Sequence, residues 1–231
     1  MDDQTHKSDR KVKHKADDSV LQIHEFNVDL KANHIYLLED SAYDGVDDVP
    51  GVEHRMAGRF IKNLGILQRK SQDPILIHML TGGGLWSAGM AIYAAIKACP
   101  NPVTILNYAG AESMSSIIFC AADKRVMLPY TTFMFHGGNG AISGTPKQIA
   151  SWAKQENKTI DQMLEIYVDA VRGSAKFENW TDKKIVKFLK DKMDSEEDVI
   201  LSAKEAVEYG FADTVFGEDG KYDWSQLLQY P

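Results

Sequence analysis

The chain has 231 residues, 44% of them hydrophobic and 26% charged, with a formal net charge of -7. That is room for one sizeable core and too little for two full-size domains. No apolar run approaches the roughly 20 residues of a membrane helix, and an acidic balance disfavours nucleic acid, which is held by clustered Lys and Arg.

Residues 1–20 read as a flexible tail, since Lys7, Arg10, Lys11, Lys13 and Lys15 are interleaved with Asp2, Asp3, Asp9, Asp17 and Asp18. The stretch from Met1 to Lys7 lacks the apolar run of a signal peptide, which predicts a cytoplasmic protein. Residues 20–40 are a poor helix candidate, and His34–Leu38 is the first expected strand. A polar loop rich in Asp and Gly follows to about Gly51. An amphipathic helix is expected over 53–70, with Met56, Phe60, Ile61, Leu64, Ile66 and Leu67 as its apolar stripe. Pro74–Leu80 is nearly all apolar and reads as a strand covered on both faces.

Thr81-Gly82-Gly83-Gly84 ends that strand, and a helix from Ser87 to Ala98 begins at once, stopping before Pro100. The pattern repeats: a strand over 103–108, a turn at Ala109–Glu112, and a helix over Ser113–Ala122. Two successive strand-turn-helix units predict a mostly parallel α/β architecture, with functional groups gathered at the carboxyl ends of the strands. Cys99 and Cys120 lie in apolar helical contexts with no ligand spacing around them. Free buried thiols are therefore expected, and neither a metal nor a cofactor.

Short strands are expected over 125–128 and 132–136, followed by the flexible run Gly137-Gly138-Asn139-Gly140. A helix of about 25 residues then starts at Pro146, with Thr145 as its cap and Gln148 three residues on. Its length leaves two readings open, protrusion toward a neighbouring subunit or packing on its own core. A helix over 181–192, a capping box at Ser202-Ala203-Lys204-Glu205 whose helix Gly210 closes, and a strand over 212–216 complete the chain. The single domain is placed at 21–218 and a C-terminal tail at 219–231.

Taken singly, the chemical candidates read as structural. Ser113 at a helix start has the place of a cap, His136 ends a strand, and Asp198 lies in an acidic loop beside Asp194. A family resemblance joins them. Thr81-Gly82-Gly83-Gly84-Leu85-Trp86-Ser87-Ala88-Gly89-Met90, Ala109-Gly110-Ala111-Glu112-Ser113-Met114, Phe133-Met134-Phe135-His136 and Asp198-Val199-Ile200-Leu201-Ser202-Ala203-Lys204-Glu205-Ala206-Val207-Glu208-Tyr209-Gly210 follow one another colinearly. Together they resemble the proteolytic subunit of the ATP-dependent Clp protease, a serine peptidase family with the crotonase-like fold, over about four-fifths of the chain from Ile35 to Val215.

The resemblance implies a ββα superhelix with a protruding strand-helix handle over about 137–171. It implies Ser113 as nucleophile, His136 as general base and Asp198 as the orienting carboxylate. Gly84 and Met114 would supply the oxyanion-hole N–H groups, and Gly83, Leu85, Gly137 and Gly138 would bind an extended substrate. It also implies stacked heptameric rings around a chamber, with a Clp-type AAA+ ATPase as a partner class.

Four features depart from the family pattern. Gly82 stands where the family has Pro, and Glu112 stands where it has Ala. Roughly a dozen extra residues precede Asp198, which keeps Asp194 as an alternative acid. The strand Ile75–His78 lacks the family's aromatic pair in the ATPase-docking pocket. Other readings on the same fold are a phage-type prohead maturation protease, a crotonase-type acyl-CoA hydratase or isomerase using Glu112, and a non-catalytic ring subunit.

Overall fold

The computed structural model describes residues 20–39 and 51–229. The expected N-terminal tail, most of the Asp- and Gly-rich loop and the last two residues lie outside them. In chain order the elements are β1 (Val28–Asp29), β2 (His34–Leu38), α1 (His54–Lys70), β3 (Ile75–Thr81), α2 (Trp86–Lys97), β4 (Val103–Glu112) and α3 (Met114–Phe119). They continue with β5 (Lys124–Met127), β6 (Thr132–Phe135), α4 (Pro146–Val171), α5 (Asp182–Glu196), β7 (Val199–Ser202), α6 (Ala203–Tyr209) and β8 (Thr214–Val215).

The strands form one sheet in the order β1-β2-β3-β4-β5-β8, with β6 pairing both β4 and β7. All pairings are parallel except β1 with β2 and β6 with β7. The β4 strand is the pivot. Its first half, Thr104–Asn107, pairs with β5, and its end, Gly110–Glu112, pairs with β6. Asn107 sits at this fork, its Nδ2 donating to the Ala109 carbonyl at 3.0 Å. The fork carries β6 and β7 away from the main sheet, toward the site.

Alternation along the strands builds two apolar layers. Ile75, Ile77 and Met79 of β3 join the main core with Phe60, Leu64 and Leu67 of α1, Ile92 of α2, and Leu164, Tyr167 and Val168 of α4. Each such side chain contributes about 1.5–3 kcal/mol on burial. Leu76, Leu106 and Val126 point to the other face and meet Phe216 and Leu227. The 3-10 turn Trp224–Leu228 closes this second layer, with Thr104 Oγ1–H donating to the Leu227 carbonyl at 2.6 Å. Residues 219–229 are thus not a free tail.

Several elements differ from expectation. Residues 20–26 are helical, because Asn27 closes that turn at φ 56°, its N–H donating to Ile23 O, while Asn63 Nδ2 donates to Phe26 O at 2.6 Å. The residues read as a turn at 109–112 extend β4, since β6 supplies them with ladder partners. The α3 helix is shorter than read, and β8 covers two residues. Residues 136–145 contain no strand, and no strand among the described residues pairs with them, which leaves the handle as an exposed loop followed by α4.

Candidate active site

The turn at Ser113 follows from how β4 ends. Ser113 N–H donates to the Met134 carbonyl at 3.0 Å, extending the parallel β4–β6 ladder by one residue. The chain then turns into α3 within that residue, which adopts φ 51° and ψ -124°. A non-glycine residue held there costs on the order of 1–3 kcal/mol and persists because its surroundings fix it. Ser115 provides one clamp, its Oγ–H donating to the Glu112 carbonyl at 2.7 Å while the oxygen accepts the Glu112 N–H at 2.8 Å. The result is a strained strand-to-helix turn that leaves the Ser113 side chain at the carboxyl end of the sheet.

Strand register brings the other two residues to it. In the antiparallel β6–β7 pair Phe135 lies opposite Val199 and Thr132 opposite Ser202. One step further along the same register sets His136 across from Asp198. With the imidazole proton on Nδ1, Ser113 Oγ–H donates to His136 Nε2 at 2.8 Å and His136 Nδ1–H donates to Asp198 Oδ1 at 3.1 Å. The imidazole is mostly covered, at 16% exposure, whereas the carboxylate is 59% exposed. Asp194, the alternative acid, is an exposed residue within α5. Between α4 and Asp198 the chain forms a 3-10 turn (Ala175–Phe177) and α5, and Glu197, at φ 59°, turns it from the helix end into β7.

The glycine turn after β3 lies against this junction. Gly83 and Gly84 have φ of +113° and +145°, which side-chain-bearing residues rarely adopt. A Cβ on Gly83 would stand 2.8 Å from Ser113 Cβ and 3.1 Å from the Met114 nitrogen, so the two backbones are in contact. Two residues outside the motif hold the turn. Glu39 Oε1 accepts from Thr81 Oγ1–H at 2.6 Å and from Gly82 N–H at 2.7 Å. Val52 donates its N–H to Gly83 O at 2.6 Å and accepts from Leu85 N–H at 2.8 Å.

The sequence reading missed both Glu39 and Val52. A carboxylate at the end of β2 and an apolar residue before α1 carry no local sign that they will meet a glycine turn. Because a trans peptide points its C=O and N–H in opposite directions, the Gly84 N–H faces away from Val52. Met114 is the first residue of α3, and its N–H has no acceptor within the helix. Leu85 is half-exposed, but its N–H is taken by Val52 and its carbonyl by Gly89 N–H at 3.0 Å. The substrate pairing expected along Gly83–Leu85 is therefore partly satisfied inside the chain. Gly137 and Gly138 are exposed, with open space on their side-chain positions.

Glu112, next to Ser113, accepts from Thr132 Oγ1–H at 2.9 Å through Oε1. Cys99 and Cys120 are free thiols, partly covered, and burial pushes the Cys120 thiol up to about 12. Among the described residues no helix is long and apolar enough to cross a membrane.

Residues 46–219, about three-quarters of the chain, match the family model for Clp protease. The chain is 29% identical over 167 residues to the ATP-dependent Clp protease proteolytic subunit 2 of Pseudomonas aeruginosa, covering 71% of this chain and 77% of that one. It is 30% identical to the subunit of the same description from Thermobifida fusca, covering 71% and 76%. It is 31% identical to the ATP-dependent Clp protease proteolytic subunit of Deinococcus radiodurans, covering 72% and 77%. With the mixed α/β sheet described above, these matches establish that the chain belongs to the Clp protease family and is a peptidase of the serine class.

Proposed function

We propose that the chain is a serine endopeptidase that cleaves unfolded or threaded polypeptides in the cytoplasm, inside a chamber formed by stacked heptameric rings. Ser113 attacks the scissile carbonyl while His136 Nε2 accepts its proton, and Asp198 keeps the other ring proton on Nδ1. The acyl-enzyme is then hydrolysed, with His136 acting in reverse. The oxyanion is received by the N–H groups of Met114 and Gly84, each worth about 3 kcal/mol in such a site. The Gly83 N–H, which donates to Thr81 Oγ1 across 3.4 Å, is a further donor on the same turn. An extended substrate lies between the open side of Gly84, with the Leu85 side chain beside it, and the backbone of Gly137 and Gly138. Main-chain recognition of this kind selects weakly among side chains, and enclosure in the ring supplies the restraint instead. A Clp-type AAA+ ATPase is the partner class that would feed the chamber.

The observation that carries this reading is the continuous chain from Ser113 Oγ through His136 to Asp198, with bonds of 2.8 and 3.1 Å. It is tested by treating the purified protein with a fluorophosphonate and mapping the adduct by mass spectrometry. Labelling is expected on Ser113 and is expected to vanish in His136→Ala. A folded particle that cleaves peptides but labels elsewhere would overturn the assignment.

A further inference from the structure

Behind the nucleophile lies a second hydrogen-bonded chain that the chemistry above does not use. Ser116, buried in α3, sends both its donors to the Ser113 carbonyl, Oγ–H at 2.6 Å and N–H at 3.1 Å. A carbonyl can only accept, so the Ser116 hydroxyl proton is committed there. The 2.7 Å contact between Ser116 Oγ and Tyr167 OH is therefore donated by the tyrosine. Burial pushes the Tyr167 phenol far up, so it remains a donor at any working pH. The Tyr167 ring is held by Phe135, Phe133 and Phe211 at centroid distances of 5.6, 6.3 and 5.5 Å, and Phe135 directly precedes His136.

The Ser113 carbonyl belongs to the same peptide unit as the Met114 N–H. The unit is planar and trans, so whatever aims the carbonyl aims the N–H the opposite way. Ser113 is in a strained conformation, with φ 51°, and left alone the peptide would rotate toward a commoner one. From this geometry we infer that Ser116 and Tyr167 are positioning residues that set the direction of the Met114 N–H toward the oxyanion, linking the nucleophile turn to α4. The inference rests on the assignment of Met114 as an oxyanion donor.

The test uses the full oligomeric protein with Tyr167→Phe, Ser116→Ala and the double variant, alongside Ser113→Ala. Each single change is expected to lower kcat on a fluorogenic peptide about tenfold or more with KM within about twofold. Affinity for a peptide aldehyde, which binds as a tetrahedral oxyanion, should fall in parallel, while affinity for the non-covalent product peptide should not. The double variant should be no worse than the poorer single, because the two hydroxyls act in series. If either folded variant keeps kcat within about twofold, or loses rate without loss of aldehyde affinity, the inference fails. Should Tyr167→Phe not fold, Ser116→Ala decides alone. Activity surviving in Ser113→Ala would instead sink the underlying assignment of the site.

Discussion

A Cβ on Gly83 would lie 2.8 Å from both the Glu112 carbonyl oxygen and Ser113 Cβ, at a φ of +113° where an L side chain is strained in any case. Neither neighbour is a flexible tip, so Gly83→Ala must displace the turn at Ser113 itself. Labelling of Ser113 by fluorophosphonate should slow by about 100-fold, as misplacement of about 1 Å does elsewhere, and Gly82→Ala, whose side-chain position is open, should label normally. A second residue-scale effect sits away from the site. His78 is buried against Tyr36, His34 and Tyr108, its Nδ1 2.9 Å from Tyr108 OH and its Nε2 3.0 Å from His34 Nδ1. Burial, then His34, push its pKa down from 6.5 to about 4. Between those values the unfolded chain binds a proton that the folded chain refuses. Stability therefore falls as pH drops from 6.5 toward 4 and does not depend on this group above 6.5. In His78→Phe, which keeps an aromatic ring against Tyr36, the loss between pH 7 and pH 5 in urea unfolding should be smaller by about 2 kcal/mol; an unchanged difference would refute this. At this scale the site was legible only through motif. A cap-like serine, a strand-end histidine and an acidic loop carry no local sign of one another, and what unites the last two is the β6–β7 register.

Elements whose ends are set by local chemistry were readable from the sequence, and those set by distant partners were not. Thr145, Pro146 and Gln148 start α4 with a full capping box, Ser202 and Glu205 do the same for α6, and Gly210 ends α6 in the left-handed conformation. By contrast Ala109–Glu112 has a turn-like composition and becomes strand because β6 arrives beside it. Residues 20–26 form a helix that Asn63, far along the chain, helps to hold. Arg125 shows the same dependence at the junction of several elements. Its guanidinium donates to the Ala170 carbonyl near the end of α4, to the Gly210 carbonyl after α6, and to both oxygens of Asp213 before β8. It is only 14% exposed, so removing it strands two helix-end carbonyls, whereas Asp213, 38% exposed, keeps the backbone N–H of residue 125. Arg125→Ala should lower stability by about 2 kcal/mol in denaturant unfolding. Lys in its place should recover little, since an ammonium cannot span the three acceptors as a planar fork does; a fully stable Arg125→Lys would show that charge alone suffices.

At the scale of the molecule the unusual feature is how little of α4 the chain itself uses. The helix runs Pro146–Val171, and its buried residues are Met163, Leu164, Tyr167, Val168 and Val171, all in the second half. The first half is exposed, and at about 1.5 Å per residue it extends on the order of 20 Å with no core beneath it. Nevertheless it is not a purely polar surface, because Ile149 is 42% and Trp152 60% exposed, and Ile142 in the preceding loop is 44% exposed. Residues 149 and 152 are three apart and share a helix face. A helix that protrudes with an apolar face needs a partner to cover it, and in the proposed double ring that partner is the handle of a subunit in the facing ring. Pairing there would also give the loop at 137–144, which no described strand pairs, a strand to bond with, completing the proposed substrate-binding edge beside Gly137 and Gly138. Trp152→Glu places a charge on that face without touching the buried half of the helix. It should leave the fold and the single ring intact while halving the particle mass in native mass spectrometry. Peptide hydrolysis should fall with it, because the loop after His136 loses its pairing partner. A particle of unchanged mass, or a half-sized particle with full activity, would separate the helix from assembly or assembly from catalysis.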